Sequence, residues 1–203
     1  MDDPDYTKTV IEGNSDEGTD IHTVNQHLAG LDTRAKAKTF IYAFLYGAGD
    51  AKIGKIVGGT GREGRKLKEK FLTNLSKLDI LIKKVRWQGH HVGHVQGLDG
   101  RRIWTRSPHA ALNTLLQGGG AIVCKLWTIY IHQLAKEAGI EFYQVATIHD
   151  EYQFEVKEEQ AVEFGEITRE AIKMTEKTLK MKVPLDSEYK VGVRWSETHK
   201  ERS

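Results

Sequence analysis

Hydrophobic positions along this chain change period several times, and the changes divide it into elements. Between Thr33 and Gly47, Phe40, Ile41, Phe44 and Leu45 form the apolar surface of a helix that opens at Asp32 or Thr33 and stops around Gly47 to Gly49. Leu67, Phe71, Leu75, Leu78, Ile82 and Val85 then recur at steps of four and three, which predicts one amphipathic helix packed back on the first. From Trp87 to Arg106 the pattern turns to alternation, with Asp99-Gly100 as a hairpin turn between VQGL and RRIWTR. Ser107-Pro108 starts a helix that runs to about Ala138, where Gly139 ends it. That helix carries Gly118 to Gly120 in its interior, each costing on the order of 1 kcal/mol relative to Ala, so close packing or the approach of another backbone must compensate. Strands are predicted at Phe142 to Ile148 and Tyr152 to Val156, then a helix from roughly Lys157 to Met181. A last strand near Glu188 to Trp195 would join the same antiparallel sheet and bury Trp195 or its neighbours. Residues 1 to 20 are polar and acid-rich without a sustained period, a surface segment or a short helix.

Composition narrows the class. With 203 residues, 39% hydrophobic and 29% charged, the chain is long enough to bury a real core and reads as soluble, in one or two domains. No apolar run approaches the roughly 20 residues of a membrane span, and the acidic start MDDPDYTK is unlike a signal peptide, so no membrane partner and a cytoplasmic location are expected. Cys124 is the only cysteine, which excludes an internal disulfide and a cysteine zinc site. The net charge of +2 hides an uneven distribution: Lys52 to Arg106 holds 14 Lys and Arg against 4 Asp and Glu, while the first 20 residues are acidic. A basic middle suits a phosphate backbone, with solvated helix faces as the alternative.

The chemistry begins with Arg34, Lys38, Tyr42 and Tyr46, four residues apart, which drift only about 40° per step around a helix and form one stripe. Two cations followed by two rings suit a polyphosphate joined to a flat base, as in a nucleoside triphosphate; a solvated basic face with half-buried tyrosines has the same spacing. Gly49-DAKI-Gly54-Lys55 satisfies part of a phosphate-binding loop, but Ile56 stands where Ser or Thr is needed and a helix precedes it, which excludes that loop. His90, His91 and His94 lack the fourth ligand of a zinc site. Arg101, Arg102 and Arg106 are contacts to a nucleic-acid backbone or plain surface charge. His109, Asn113 and Gln117 make a neutral polar stripe ahead of the glycines, fit to hydrogen-bond the acceptors that every base pair presents in the minor groove, or an ordinary helix edge. His149, Asp150 and Glu151 fall where the chain turns between two strands, and paired carboxylates at a hairpin tip suit Mg²⁺.

TRAKAKTFIYAFLYGAGDAKIG, preceded by DIHT at Asp20 to Thr23 and followed about a hundred residues later by HDE, resembles family A DNA polymerases, the phage T7-like branch above all. SPHAALNTLLQGGGAIVCKLW resembles the segment of that branch that reads the newly formed primer and template. The resemblance runs from about Asp20 to Trp195. It implies an α+β fold, with the fingers helices and part of an antiparallel palm sheet of an incomplete right hand: a polar lead-in over 1–22, fingers over 23–106 and the C-terminal part of the palm over 107–203. Arg34 and Lys38 are then implied to hold the triphosphate together with His22, Tyr42 to lie against the incoming sugar, and Tyr46 with Gly47 to sit at the templating position. His109, Asn113, Gln117 and His149 are implied to touch DNA, and Asp150 and Glu151 to serve the metal.

Implied partners are dNTP, primer-template DNA and Mg²⁺ in a two-metal site. Two-metal phosphoryl transfer needs carboxylates that bridge both ions. In the resembling family another Asp, on a palm strand ahead of the fingers, supplies that bridge, and Asp2, Asp3 and Asp5 lie in a polar start that does not match it. The expectation is the C-terminal part of a split or truncated DNA polymerase, inactive as an isolated chain, completed by an N-terminal fragment that carries the missing Asp. A single-subunit RNA polymerase fragment and a non-catalytic DNA-binding remnant remain as alternatives.

Overall fold

The computed structural model describes residues 3–198, which fall into two compact units divided between Gly118 and Gly119. Unit 1 opens with helix α1 (Pro4–Glu12), capped by the Asp3 carboxylate. It continues with α2 (Ile21–Ala29) and α3 (Arg34–Leu45), where Thr33 caps through a hydrogen bond from the Lys36 amide. The Tyr6 hydroxyl donates to buried Asn25, tying the acid-rich start to α2.

Next come α4 (Asp50–Ile56) and α5 (Gly61–Asn74), the latter closed by a capping box in which Glu63 accepts from the Thr60 amide. Gly54 and Gly64 let α4 and α5 touch backbone to backbone. A Cβ on Gly54 would stand 1.9 Å from the Thr60 carbonyl oxygen, and one on Gly64 2.0 Å from that of Asp50. The excluded phosphate loop is therefore a helix whose second glycine is a packing contact.

The single helix expected from Leu67 to Val85 is two. Leu75 takes φ −129°, ψ 63°, ending α5, and α6 (Ser76–His91) starts directly after it. Leu75 stays buried, so the apolar spacing runs across the break undisturbed; the flanking Asn74 and Ser76, which compete for backbone hydrogen bonds, were the local signal. Alternation from Trp87 is corrected in the same way, because α6 continues to His91. Only β1 (His94–Gln96) and β2 (Arg102–Trp104) are strands, paired His94 with Trp104, Val95 with Ile103 and Gln96 with Arg102. The expected turn is present, with Gly100 at φ +84°. At the centre of unit 1 the rings of Phe40, Phe44 and Phe71 meet at 5.2–5.7 Å, surrounded by Ile53, Leu67, Ile82, Val85 and Val95.

A 3₁₀ turn (Pro108–Ala110), with Ser107 as cap, leads into α7 (Ala111–Glu137), which runs unbroken through the three glycines; the boundary between the units falls within it. Gly118 is filled by Ile103, whose Cδ1 lies 2.5 Å from where a Cβ would be, whereas Gly120 meets nothing within 4 Å. Unit 2 adds the hairpin β3 (Phe142–Ile148) and β4 (Glu151–Val156), with a register shift between Gln144 and Ala146, and helix α8 (Ala161–Thr178). Phe142, Phe154 and Phe164 pack at 5.0–5.9 Å over Ile131, Ala135, Ile167 and Ala171.

The strand expected near Glu188 to Trp195 is not formed among the described residues. The chain leading into that segment is held by side chains of α8, where the Leu185 amide donates to Glu176 at 2.7 Å and Lys173 donates to the Leu185 carbonyl, and within the segment the Tyr189 ring lies beside Gly165 and its hydroxyl donates to Glu166 at 2.9 Å. Inside the segment the Val193 amide donates to the Glu197 side chain at 2.9 Å, a local bond in place of a ladder partner. Trp195 opens a short helix α9 (Trp195–Thr198) and is 49% exposed rather than buried. No helix of the described residues is long and apolar enough to cross a membrane.

Candidate polymerase site

In unit 1 the turn into α2 and the first half of α3 come together. The Asp20 carboxylate caps α2 through the His22 amide at 3.0 Å, accepts from the Thr23 hydroxyl at 2.6 Å, and grips Arg34 through Nε at 3.1 Å and Nη2 at 2.8 Å. Asp20 is buried, and the Arg34 guanidinium holds its carboxyl well below the usual carboxylate range. Sequence reasoning missed this residue. An Asp just ahead of a helix signals a cap, but nothing in its spacing announces the guanidinium 14 positions later.

With its Nε and Nη2 edge held, Arg34 keeps Nη1 for another ligand. Lys38, one turn on, is exposed and makes no ion pair among the described residues. The His22 ring lies 6.0 Å from that of Tyr42, and its Nδ1 is buried without a hydrogen-bond partner. Burial, then the charges of Arg34 and Lys38, push the His22 imidazole below its ordinary pKa, with Asp20 pulling the other way. His22, Arg34, Lys38 and Tyr42 thus form one cationic, ring-flanked group.

Tyr46 lies past the last helical residue, at the C-cap of α3, and is 57% exposed. Gly47 follows at φ +79°, a conformation only glycine takes without strain, and its Cβ position is 3.9 Å from the His109 carbonyl oxygen. A groove of about 540 Å³ opens there, lined by Gly47, Asp50, Arg65, Lys68, Arg86 and His109 among others. Asn113 is half-buried with its Oδ1 unpartnered, and Gln117 is exposed one turn further along α7. Gly47 and His109 therefore line the groove, and Tyr46 directly precedes Gly47 in the chain.

In unit 2, His149 and Asp150 form the two-residue turn between β3 and β4, and Glu151 is the first residue of β4, paired with Ile148. His149 stands at φ +56°, one of two described non-glycine residues in the left-handed region. Asp150 and His149 are exposed at the tip. Glu151 is partly buried, and its Oε1 accepts from the Gln153 amide and from Trp195 Nε1 at 3.1 Å. Beneath it the Tyr152 hydroxyl donates to the Cys124 carbonyl at 2.7 Å, and burial pushes the Cys124 thiol up.

Two adjacent carboxylates with hard oxygen donors, one of them open to solvent, fit Mg²⁺, which takes one or two carboxylates and fills the rest of its shell with phosphate oxygens and water. Among the described residues no group of three or more His, Cys, Asp and Glu is gathered in a metal-holding arrangement.

Comparison with known proteins places the chain in a family. The family model described as DNA polymerase family A matches residues 11–197. The DNA-directed DNA polymerases of Enterobacteria phage T3 and Escherichia phage T7 are 40% and 38% identical to 98% of this chain, which spans 30% of each. Among solved structures, the POL domain of Pol1 from M. smegmatis, in complex with DNA primer-template and dNTP, superposes with a TM-score of 0.72 over 85% of this chain and 33% of its own, at 22% identity.

Proposed function

Because the chain belongs to DNA polymerase family A, we propose that it serves template-directed DNA synthesis, transferring a nucleotidyl group from a dNTP to a primer 3′-hydroxyl. The observation that carries this reading is the gathering of His22, Arg34, Lys38 and Tyr42 into one cationic, ring-flanked group. In that reading Arg34 and Lys38 neutralise the triphosphate, His22 reaches it from α2, Tyr42 lies against the sugar, and Tyr46 with Gly47 occupies the templating position. His109, Asn113 and Gln117 accompany the primer-template, and His149 touches the primer.

Asp150 would hold Mg²⁺, with Glu151 steadying it or the primer end; the metal, when bound, lowers the barrier to attack by neutralising phosphate charge. The further Asp that two-metal transfer requires is supplied by polymerase sequence outside these 203 residues, carried by an N-terminal partner fragment. Those relatives are DNA polymerases, which favours deoxyribonucleotides over the RNA polymerase alternative.

Primer extension with Mg²⁺ tests the proposal. The chain alone is expected to be inactive, and addition of an N-terminal fragment carrying the missing Asp should restore synthesis. Asp150→Ala should abolish synthesis by the assembled enzyme, whereas Lys38→Ala should act mainly by raising KM for the dNTP, about 10- to 100-fold for loss of one charge-assisted phosphate contact. Sustained synthesis by the chain unaided would remove the partner. Full synthesis by Asp150→Ala with the fragment present would leave only a DNA-binding remnant.

A further inference from the structure

Glu151 does not hang loose at the hairpin tip. A glutamate side chain turns about several bonds, and a carboxylate that wanders among rotamers gives up that freedom only when an ion arrives, at the expense of affinity. Here the freedom is removed beforehand. Two donors meet on one oxygen, Oε1: the side-chain amide of Gln153, two residues along β4, and Nε1 of Trp195, 44 positions later in the chain, at 3.1 Å.

The hairpin is built to bring these groups together. Side chains alternate along β4, so Glu151 and Gln153 share one face while Tyr152 and Phe154 pack on the other, against the core of unit 2. Strand β3 changes face to fit. Gln144 pairs with core-side Phe154 and meets His132 of α7 at 3.2 Å, yet Ala146, two residues on, pairs with Gln153 on the opposite face. Residues two apart on a regular strand share a face, so the register shift at Val145 is what turns the strand over. In unshifted register Val145 would stand opposite Gln153 and Thr147 opposite Glu151. The shift puts Ala146 and Ile148 there instead, and the short Ala146 side chain leaves the Gln153 amide room to fold back onto Glu151.

We propose that Gln153 and Trp195 are positioning residues for the metal at the hairpin tip. By donating to the same oxygen of Glu151 they hold its carboxylate in one orientation, so that an ion beside Asp150 meets a ligand already arranged. Neither residue touches the ion; both act through Glu151. This role rests on the reading of Asp150 and Glu151 as the holders of Mg²⁺, and it adds the groups that fix the second of them. Partners that orient a metal ligand in this way commonly contribute about 10- to 100-fold to metal affinity. Gln153, on a strand and beside its target, carries the larger share, because the bond from Trp195 is exposed.

Mn²⁺ takes the same oxygen ligands as Mg²⁺, and its spin-resonance signal fades on binding, so titrating it into the full chain tests the proposal. Asp150→Ala should abolish binding. Gln153→Met, which keeps the length of the side chain and removes the donor, should weaken binding about tenfold, and Trp195→Phe should weaken it less. A double-mutant cycle separates orientation from folding. In a Glu151→Ala background, where Asp150 still holds the ion weakly, Gln153→Met should cost nothing further, because its whole effect passes through the missing carboxylate. A residue that merely supports the hairpin would cost the same factor in both backgrounds. Gln153→Met that binds Mn²⁺ within about twofold of the parent, or that weakens binding equally with and without Glu151, would overturn the positioning role and leave the Asp150 reading intact. Mn²⁺ binding unchanged by Asp150→Ala would take the metal away from the tip, and the positioning role would fall with it.

Discussion

At the scale of the residue, Asp20 joins α2 to α3 by capping α2 and orienting Arg34 with the same two oxygens. Because Arg34 holds its carboxyl below the usual range, the pair stabilises the fold fully above the unfolded pKa near 4 and loses that contribution as pH falls toward the depressed folded value. Asp20→Asn should therefore lower stability at neutral pH by about 2 kcal/mol, discounted for the partial exposure of Arg34, and flatten the acid limb of a urea-midpoint against pH curve. His22 gives a second readout. Its pKa is depressed by burial and by Arg34, so a triphosphate arriving beside it would raise that pKa and draw in a proton. Titration calorimetry of dNTP binding near pH 6, in buffers of different ionisation enthalpy, should show proton uptake that His22→Gln abolishes. Uptake unchanged in that variant would remove His22 from the nucleotide site.

At the scale of the element, α4 and α5 depend on two glycines. An alanine in either helix would gain about 1 kcal/mol of propensity, but the added Cβ would fall 1.9–2.0 Å from a carbonyl oxygen that cannot move without moving its helix. The clash wins: Gly54→Ala and Gly64→Ala should each destabilise unit 1 by about 3 kcal/mol, read as a lower denaturant midpoint. Helix α3, the β1–β2 hairpin and the β3–β4 pair were legible in the sequence because each is specified locally, by a period of 3.6 or 2 and by a cap or turn residue at its end. The break at Leu75 was not, because its buried side chain preserves the spacing of one continuous helix. Nor was the fate of residues 188–195, where the expected strand did not form and the Val193 amide went to the Glu197 side chain instead. The candidate site divides along the same line: Arg34, Lys38 and Tyr42 share a helix and follow from their spacing, whereas the hold of Asp20 on Arg34 is a tertiary contact with no periodicity.

At the scale of the whole molecule, charge is distributed unevenly along the chain, acidic over the first 20 residues and strongly basic from Lys52 to Arg106. Binding to DNA should therefore weaken steeply with added salt, in proportion to the phosphates neutralised. Replacing Arg102 and Arg106 together should reduce the slope of log affinity against log salt by about two. An unchanged slope would assign those arginines to plain surface charge. Unit 2 adds a different kind of report. The chain has four tryptophans, and one of them, Trp195, donates its Nε1–H to the carboxylate of Glu151, a residue 44 positions earlier beside the hairpin tip. Indole emission shifts with the charge and hydrogen bonding at that nitrogen, so the protein carries a native optical indicator for the state of Glu151. Mg²⁺ drawn to the tip should change the colour of that emission, and Trp195→Phe should silence the response while Asp150 remains in place to bind the ion.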